Sequence, residues 1–147
     1  MSDSYKKIVV GTDGSKSSLH AVERAAEIAA AFKATLIIGC AFYETKEEAS
    51  KTLRQDSVTI LGDDPAQENL EKAEKVAQGV GATSIEKVVR PGTPVEALMS
   101  IVNENQADLL VVGNRGINSL TGRLLGSVPA DVARQSDCDV MIVHTVD

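Results

Sequence analysis

The strongest constraint on this chain is an alternation. Short runs of mostly apolar residues, KKIVVG (6–11), ATLIIGCA (34–41), TSIEKVVR (83–90), ADLLVV (107–112) and DVMIVHT (139–145), are separated by longer segments. In those segments apolar residues recur every three or four positions: Leu19, Val22, Ala25, Ala26, Ala29 and Phe32; Leu70, Ala73, Val76, Ala77 and Val80; Val95, Leu98, Ile101 and Val102. Unbroken apolar runs of that length read as strands covered on both faces, and the longer period reads as helices with one buried stripe. A fourth helix is expected over 127–135. The order β-α-β-α-β-α-β-α-β predicts one doubly wound α/β domain over 1–147. The expected sheet is five-stranded and parallel, in the order 3-2-1-4-5, with helices on both faces and strands one and four meeting at the switch point.

Composition suits this. A chain of 147 residues is long enough for one domain with a real core. Aromatics make up only 3%, so the core must come from Val, Ile, Leu and Ala. The formal net charge of −6, the absence of Trp and the lack of a basic cluster argue against nucleic-acid binding. No apolar run approaches a membrane span, and MSDSYKK leads into too few apolar residues for a signal peptide, so a cytoplasmic location without membrane contact is expected. Cys40 and Cys138 form no C-x-x-C pair and read as buried free thiols. His20 and His144 read as surface residues without a nucleophile nearby. No triad, acid–base carboxylate pair or metal-ligand spacing is visible, so no catalytic or metal-binding residue is assigned.

Residues 42–64 interrupt the alternation with a polar, mixed-charge stretch lacking a clear period, apart from a short helical piece expected over 46–53. A connection this long is either a lid or a plain surface insertion. Pro65 suits the first turn of the helix that follows.

In a doubly wound sheet the ligand lies beyond the carboxyl ends of the strands near the switch point. That rule brings together the loops at 11–15, 41–42 and 113–128. The last is the richest: Gly113-x2-Gly116-x9-Gly126-Ser127, with Arg115 and Arg123 inside it and a helix start after it. Glycines let backbone N–H groups approach an anion, and a helix N-terminus favours negative charge. The arginines could add charge-assisted hydrogen bonds. The bland alternative is an ordinary β–α connection with glycine in its turns. Neither a Walker A loop nor G-x-G-x-x-G is present. Asp13, just past strand one, faces the same place. It could accept hydrogen bonds from ribose hydroxyls or make an Asx-turn or helix cap.

The glycine spacing, the opening VVGTDGSKSS, ADLLVVGNRG, GRLLGSV and the closing DVMIVHT together resemble the universal stress protein family over nearly the whole chain. The resemblance implies a Rossmann-like, adenine-nucleotide-hydrolase-like fold and a homodimer through strand 139–145. It also implies an adenine nucleotide as ligand. Asp13 would lie near the ribose, with Gly11 and Thr12 lining the pocket, and the backbone of Ala41 would meet the adenine edge. Gly113, Asn114, Arg115 and Gly116 would lie at ribose and phosphate, with Arg123 in the same loop. Gly126, Ser127 and Val128 would cradle phosphate.

Two departures bear on the ligand. Pro129 stands where ATP-binding members often carry a hydroxyl residue, which removes one phosphate contact. Gly11 stands where many members have a bulkier residue, which is expected to open space beside the nucleoside. The chain is similar to actinobacterial members that bind cyclic AMP, so cyclic AMP ranks first and ATP, with magnesium, second. The expected role is sensor or reservoir, with no cofactor required. The alternatives are a slow ATPase and an interaction module whose glycines serve only the fold.

Overall fold

A computed structural model describes residues 4–45, 47, 60–114 and 127–145. Along the chain run β1 (Lys7–Gly11), α1 (Lys16–Phe32), β2 (Thr35–Phe42), α2 (Asp63–Gly79), β3 (Ile85–Pro91), α3 (Pro94–Asn105), β4 (Leu109–Gly113), α4 (Ser127–Gln135) and β5 (Asp139–Val143). The five strands form one sheet in the order β3-β2-β1-β4-β5, and every pair is parallel. This is the expected order.

Alternate residues of each strand face opposite sides. Ile8, Val10, Leu36, Ile38, Leu109 and Val111 join the apolar faces of α1 and α2 in one core cluster. Val9, Ile37, Leu110 and Val112 join α3 and Val132 of α4 in the other. Burial on both faces is why the central strands read as unbroken apolar runs. The edge strand β3 has Glu86 and Lys87 exposed, which explains its polar sequence.

The helix starts are well specified. The Ser15 side chain caps α1 by accepting from the Ser18 N–H. Thr93 opens α3 with a reciprocal capping box to Glu96, followed by Pro94. Lys33 and Gln106 close α1 and α3 in the left-handed conformation, where the sequence offered no glycine.

The segment 42–64 differs from the expected excursion at both ends. Phe42 still belongs to β2, and α2 already starts at Asp63, with Pro65 in its first turn. Tyr43 and Leu61 form a parallel bridge: the Tyr43 N–H donates to Ile60 and the Gly62 N–H to Tyr43, at 2.7 and 2.8 Å. Tyr43 and Ile60 are buried, so packing fixes the base of this segment where polarity alone suggested a loop. Apart from Glu47, the helical piece expected over 46–53 lies outside the described residues.

Candidate functional site

The carboxyl ends of β1, β2 and β4 lie side by side, and β1 pairs with both neighbours. The winding therefore reverses between β1 and β4, at the expected place. The strands end unevenly. β1 makes its last pair with β2 at Gly11–Gly39, and the Thr12 N–H then donates to the Gly39 carbonyl at 2.9 Å. β2 continues through Cys40, Ala41 and Phe42, which pair with β3. Among the described residues this overhang has no strand on its β1 side, so backbone polar groups near Ala41 face the switch point.

The chain leaving β1 is held by hydroxyls. Buried Thr12 places its Oγ1 2.9 Å from Ser18 Oγ and accepts from the Gly14 N–H at 3.1 Å. Ser18 Oγ accepts from the Asp13 N–H at 3.2 Å. Asp13 Oδ1 accepts from the Ser15 N–H at 2.9 Å, so the Asx-turn alternative for Asp13 is realised. That turn uses one carboxylate oxygen. Among the described residues no hydrogen bond occupies the other, and Asp13 is only half-buried.

Gly14 has φ +84°, and a Cβ there would stand 2.4 Å from Asn69 Oδ1. Helix α2 thus reaches into the loop through Asn69, whose Nδ2 lies 3.9 Å from Cys40 Sγ. Cys40 is buried as expected, and desolvation pushes its thiol up to about 11 against the lowering contact from Asn69. The other cysteine, Cys138, is a free thiol too but only half-buried. Sequence reasoning missed Asn69; only knowledge that α2 crosses the β1 exit would have singled it out.

Gly11 departs from its expected effect. A Cβ there would meet Leu98 Cδ2 at 3.0 Å. The missing side chain lets α3 approach β1, and Leu98 fills the space expected beside the nucleoside.

After β4, Gly113 pairs with Val143, and the Asn114 N–H donates to the Val143 carbonyl at 2.9 Å. Asn114 is 5% exposed. Its Oδ1 accepts from the Thr145 N–H at 2.8 Å and from Thr145 Oγ1 at 3.1 Å. Ser17 Oγ lies 2.5 Å from that same Oγ1. Ser17 and Thr145 were not singled out in the sequence; they lie 128 positions apart, and Thr145 lies 31 from Asn114. Arg115, Gly116, Arg123 and Gly126 lie outside the described residues. Ser127 and Val128 open α4, so their N–H groups belong to its first turn, while Pro129 in that turn has none. Among the described residues no group of three or more His, Cys, Asp or Glu could hold a metal ion, and no helix is long and apolar enough to cross a membrane.

The switch point thus has a carboxylate with one oxygen uncommitted and an open strand overhang, and α4 is the next described element after β4 in the chain. Known proteins share this architecture. Universal stress protein Rv1636 of Mycobacterium tuberculosis is 48% identical over 143 residues, covering 96% of this chain and 97% of its own. A universal stress protein crystallised in complex with cAMP superposes with a TM-score of 0.78 at 48% identity, covering 97% of this chain and 99% of that one. A universal stress protein from Archaeoglobus fulgidus in complex with dAMP shares the fold, with a TM-score of 0.67 at 23% identity over 94% of this chain and 97% of that one. The family model described as "Universal stress protein family" matches residues 4–144. With the family model, the relatives and the sheet order in agreement along nearly the whole length, the chain belongs to the universal stress protein family.

Proposed function

We propose that this protein binds an adenine nucleotide at the β1–β4 switch point, with cyclic AMP as the preferred ligand and ATP weaker. The observation that carries the reading is the similar protein at 48% identity solved in complex with cAMP, which shares the fold over 97% of this chain. In this reading the uncommitted oxygen of Asp13 accepts from a ribose hydroxyl, and the backbone at Ala41 meets the adenine edge. Gly113, Arg115, Gly116 and Arg123 serve ribose and phosphate, and Gly126 and the first turn of α4 at Ser127 and Val128 receive the phosphate. Pro129 removes one N–H from that turn, which suits a ligand with a single phosphate better than a triphosphate. The role is binding, as sensor or reservoir, without turnover. Magnesium enters only with ATP. The protein acts in the cytoplasm as one domain over 1–147, paired with its own copy along β5.

Calorimetric titration of nucleotide-stripped protein with cAMP, and separately with ATP plus magnesium, tests this. Saturable cAMP binding stronger than ATP binding is expected, and Gly126→Leu is expected to abolish both by filling the phosphate cradle. Binding of ATP alone would overturn the preference and make phosphate release the next assay. Heat from neither ligand, or binding that survives Gly126→Leu and Gly116→Leu, would remove the site.

A further inference from the structure

Ser18 stands in the first turn of α1, and its hydroxyl is surrounded by the chain leaving β1. Its Oγ lies 3.0 Å from the Ser15 carbonyl oxygen, 2.9 Å from Thr12 Oγ1 and 3.2 Å from the Asp13 nitrogen. A hydroxyl has one proton and two lone pairs, and a carbonyl can only accept. The Ser18 proton therefore points at Ser15. Its lone pairs receive the Asp13 N–H and the Thr12 hydroxyl proton. Thr12 Oγ1, having given its proton, accepts from the Gly14 N–H at 3.1 Å. Every proton in this ring has one direction, and Ser18 Oγ is filled by residues 12, 13 and 15 of the loop.

The loop holds Ser18 in return. Ser15 Oγ accepts from the Ser18 N–H at 3.1 Å, and the Ser15 N–H donates to Asp13 Oδ1 at 2.9 Å. Asp13 is thus held twice, at its N–H by Ser18 and at one carboxylate oxygen by Ser15. Its second oxygen has no hydrogen bond among the described residues, and those two contacts set its direction. Thr12 is buried and Ser18 half-buried, so losing one member of the ring leaves partners unpaired and partly withdrawn from water.

We propose that Ser18 is the positioning residue for Asp13: without touching ligand, its hydroxyl holds the β1 exit so that the uncommitted carboxylate oxygen meets the ribose 2′-hydroxyl. This role rests on the nucleotide-binding reading of the site. In cyclic AMP the 3′ and 5′ oxygens are both esterified to the phosphate, which leaves the 2′-hydroxyl as the one ribose donor. One uncommitted acceptor matches one remaining donor. A carboxylate set in place before binding does not have to be ordered by the ligand, so the ring is read as affinity for that hydroxyl.

Calorimetric titration with cAMP and with 2′-deoxy-cAMP, which differ only in that hydroxyl, tests this. Wild-type protein is expected to bind cAMP about tenfold more tightly, as for one hydrogen bond to a charged group. Ser18→Ala is expected to weaken cAMP binding about five- to tenfold and 2′-deoxy-cAMP binding less than about twofold, which closes the preference. Asp13→Ala is expected to close it by itself, and Ser18→Ala added to that background to leave it closed, because Ser18 acts through Asp13. Ser18→Thr keeps an oxygen able to bond the Ser15 carbonyl and is expected to restore the preference. Equal weakening of both ligands is the result of a merely structural role and overturns the proposal, as does a preference that Ser18→Ala leaves unchanged. If Ser18→Ala does not fold, Thr12→Val, which opens the same ring at its next member, decides by the same ratio. Wild-type protein that binds neither ligand marks failure of the nucleotide reading, and the positioning role falls with it. Wild-type protein that binds both alike leaves that reading standing and removes the roles of Asp13 and Ser18.

Discussion

Gly14 sits at φ +84° with Asn69 Oδ1 where its Cβ would be, so two separate penalties meet at one residue. A side chain in that region of φ is strained, and here it also displaces the α2 contact. Gly14→Ala is expected to lower unfolding free energy by about 1–3 kcal/mol in urea titration. Asn69→Ala should ease part of that loss, since it removes the clashing atom and leaves the strain. Cys40 offers a second residue-scale test. Burial raises its thiol to about 11, so almost no thiolate exists near neutral pH. Labelling with a thiol reagent at pH 8 is expected to modify Cys138 first, with Cys40 lagging until the protein unfolds. Equal rates would contradict its burial. At this scale the sequence was legible in kinds of residue more than in partners. TDGSKSS announced turns and caps, and Asp13 and Ser15 make them. Nothing local could announce that Asn114 pairs with Thr145, or that Leu98 fills the space over Gly11, because those contacts exist only once the sheet is wound.

Helix α3 shows how elements dock. A Cβ at Gly39 on β2 would lie 2.6 Å from Ile101 Cδ1, so the helix rides on a bare stretch of strand. Gly39→Ala is expected to destabilise by about 1–3 kcal/mol through overpacking. Adding Ile101→Val, which deletes the offending methyl, should return part of that loss, and simple additivity in the double-mutant cycle would show that the contact is not the cause. The start of α3 carries a pH signature. The Thr93 backbone N–H and hydroxyl hold the Glu96 carboxyl below its ordinary value. A folded-state value below the unfolded one adds stability above the unfolded value, about 4.3, and that increment is lost as pH falls through the folded one. Thr93→Ala is expected to cost about 1 kcal/mol at neutral pH, and Glu96→Gln, which removes the titrating group, to flatten the acid limb of stability measured by urea midpoints. Elements were the most legible scale, because burial on both faces writes itself directly as apolar runs and helical stripes. The errors fell at ends: β2 runs on to Phe42 and α2 starts at Asp63, where tertiary pairing with residues 60–62 outweighs local polarity.

The whole molecule places its least protected strand at an edge. β5 pairs with β4 on one side, and among the described residues nothing pairs with it on the other. Val140, Met141 and Ile142 are half-buried in the single chain, packed against the two cores but not sealed from solvent. An edge of this kind invites pairing, and a two-fold axis through β5 would let one copy cover the other with the same residues. The opposite edge, β3, carries Glu86 and Lys87 outward and is protected by charge. The order 3-2-1-4-5 leaves both β3 and β5 outermost, and the expectation of pairing rests on β5 being the edge without charged residues at its centre. Sedimentation equilibrium is therefore expected to give twice the 15.5 kDa of one chain at micromolar concentration. Because the folded dimer gains by mass action, the urea midpoint should also rise with protein concentration. A mass of one chain with a midpoint independent of concentration would remove the pairing. It would also mean that β5 remains single by its shortness and twist alone.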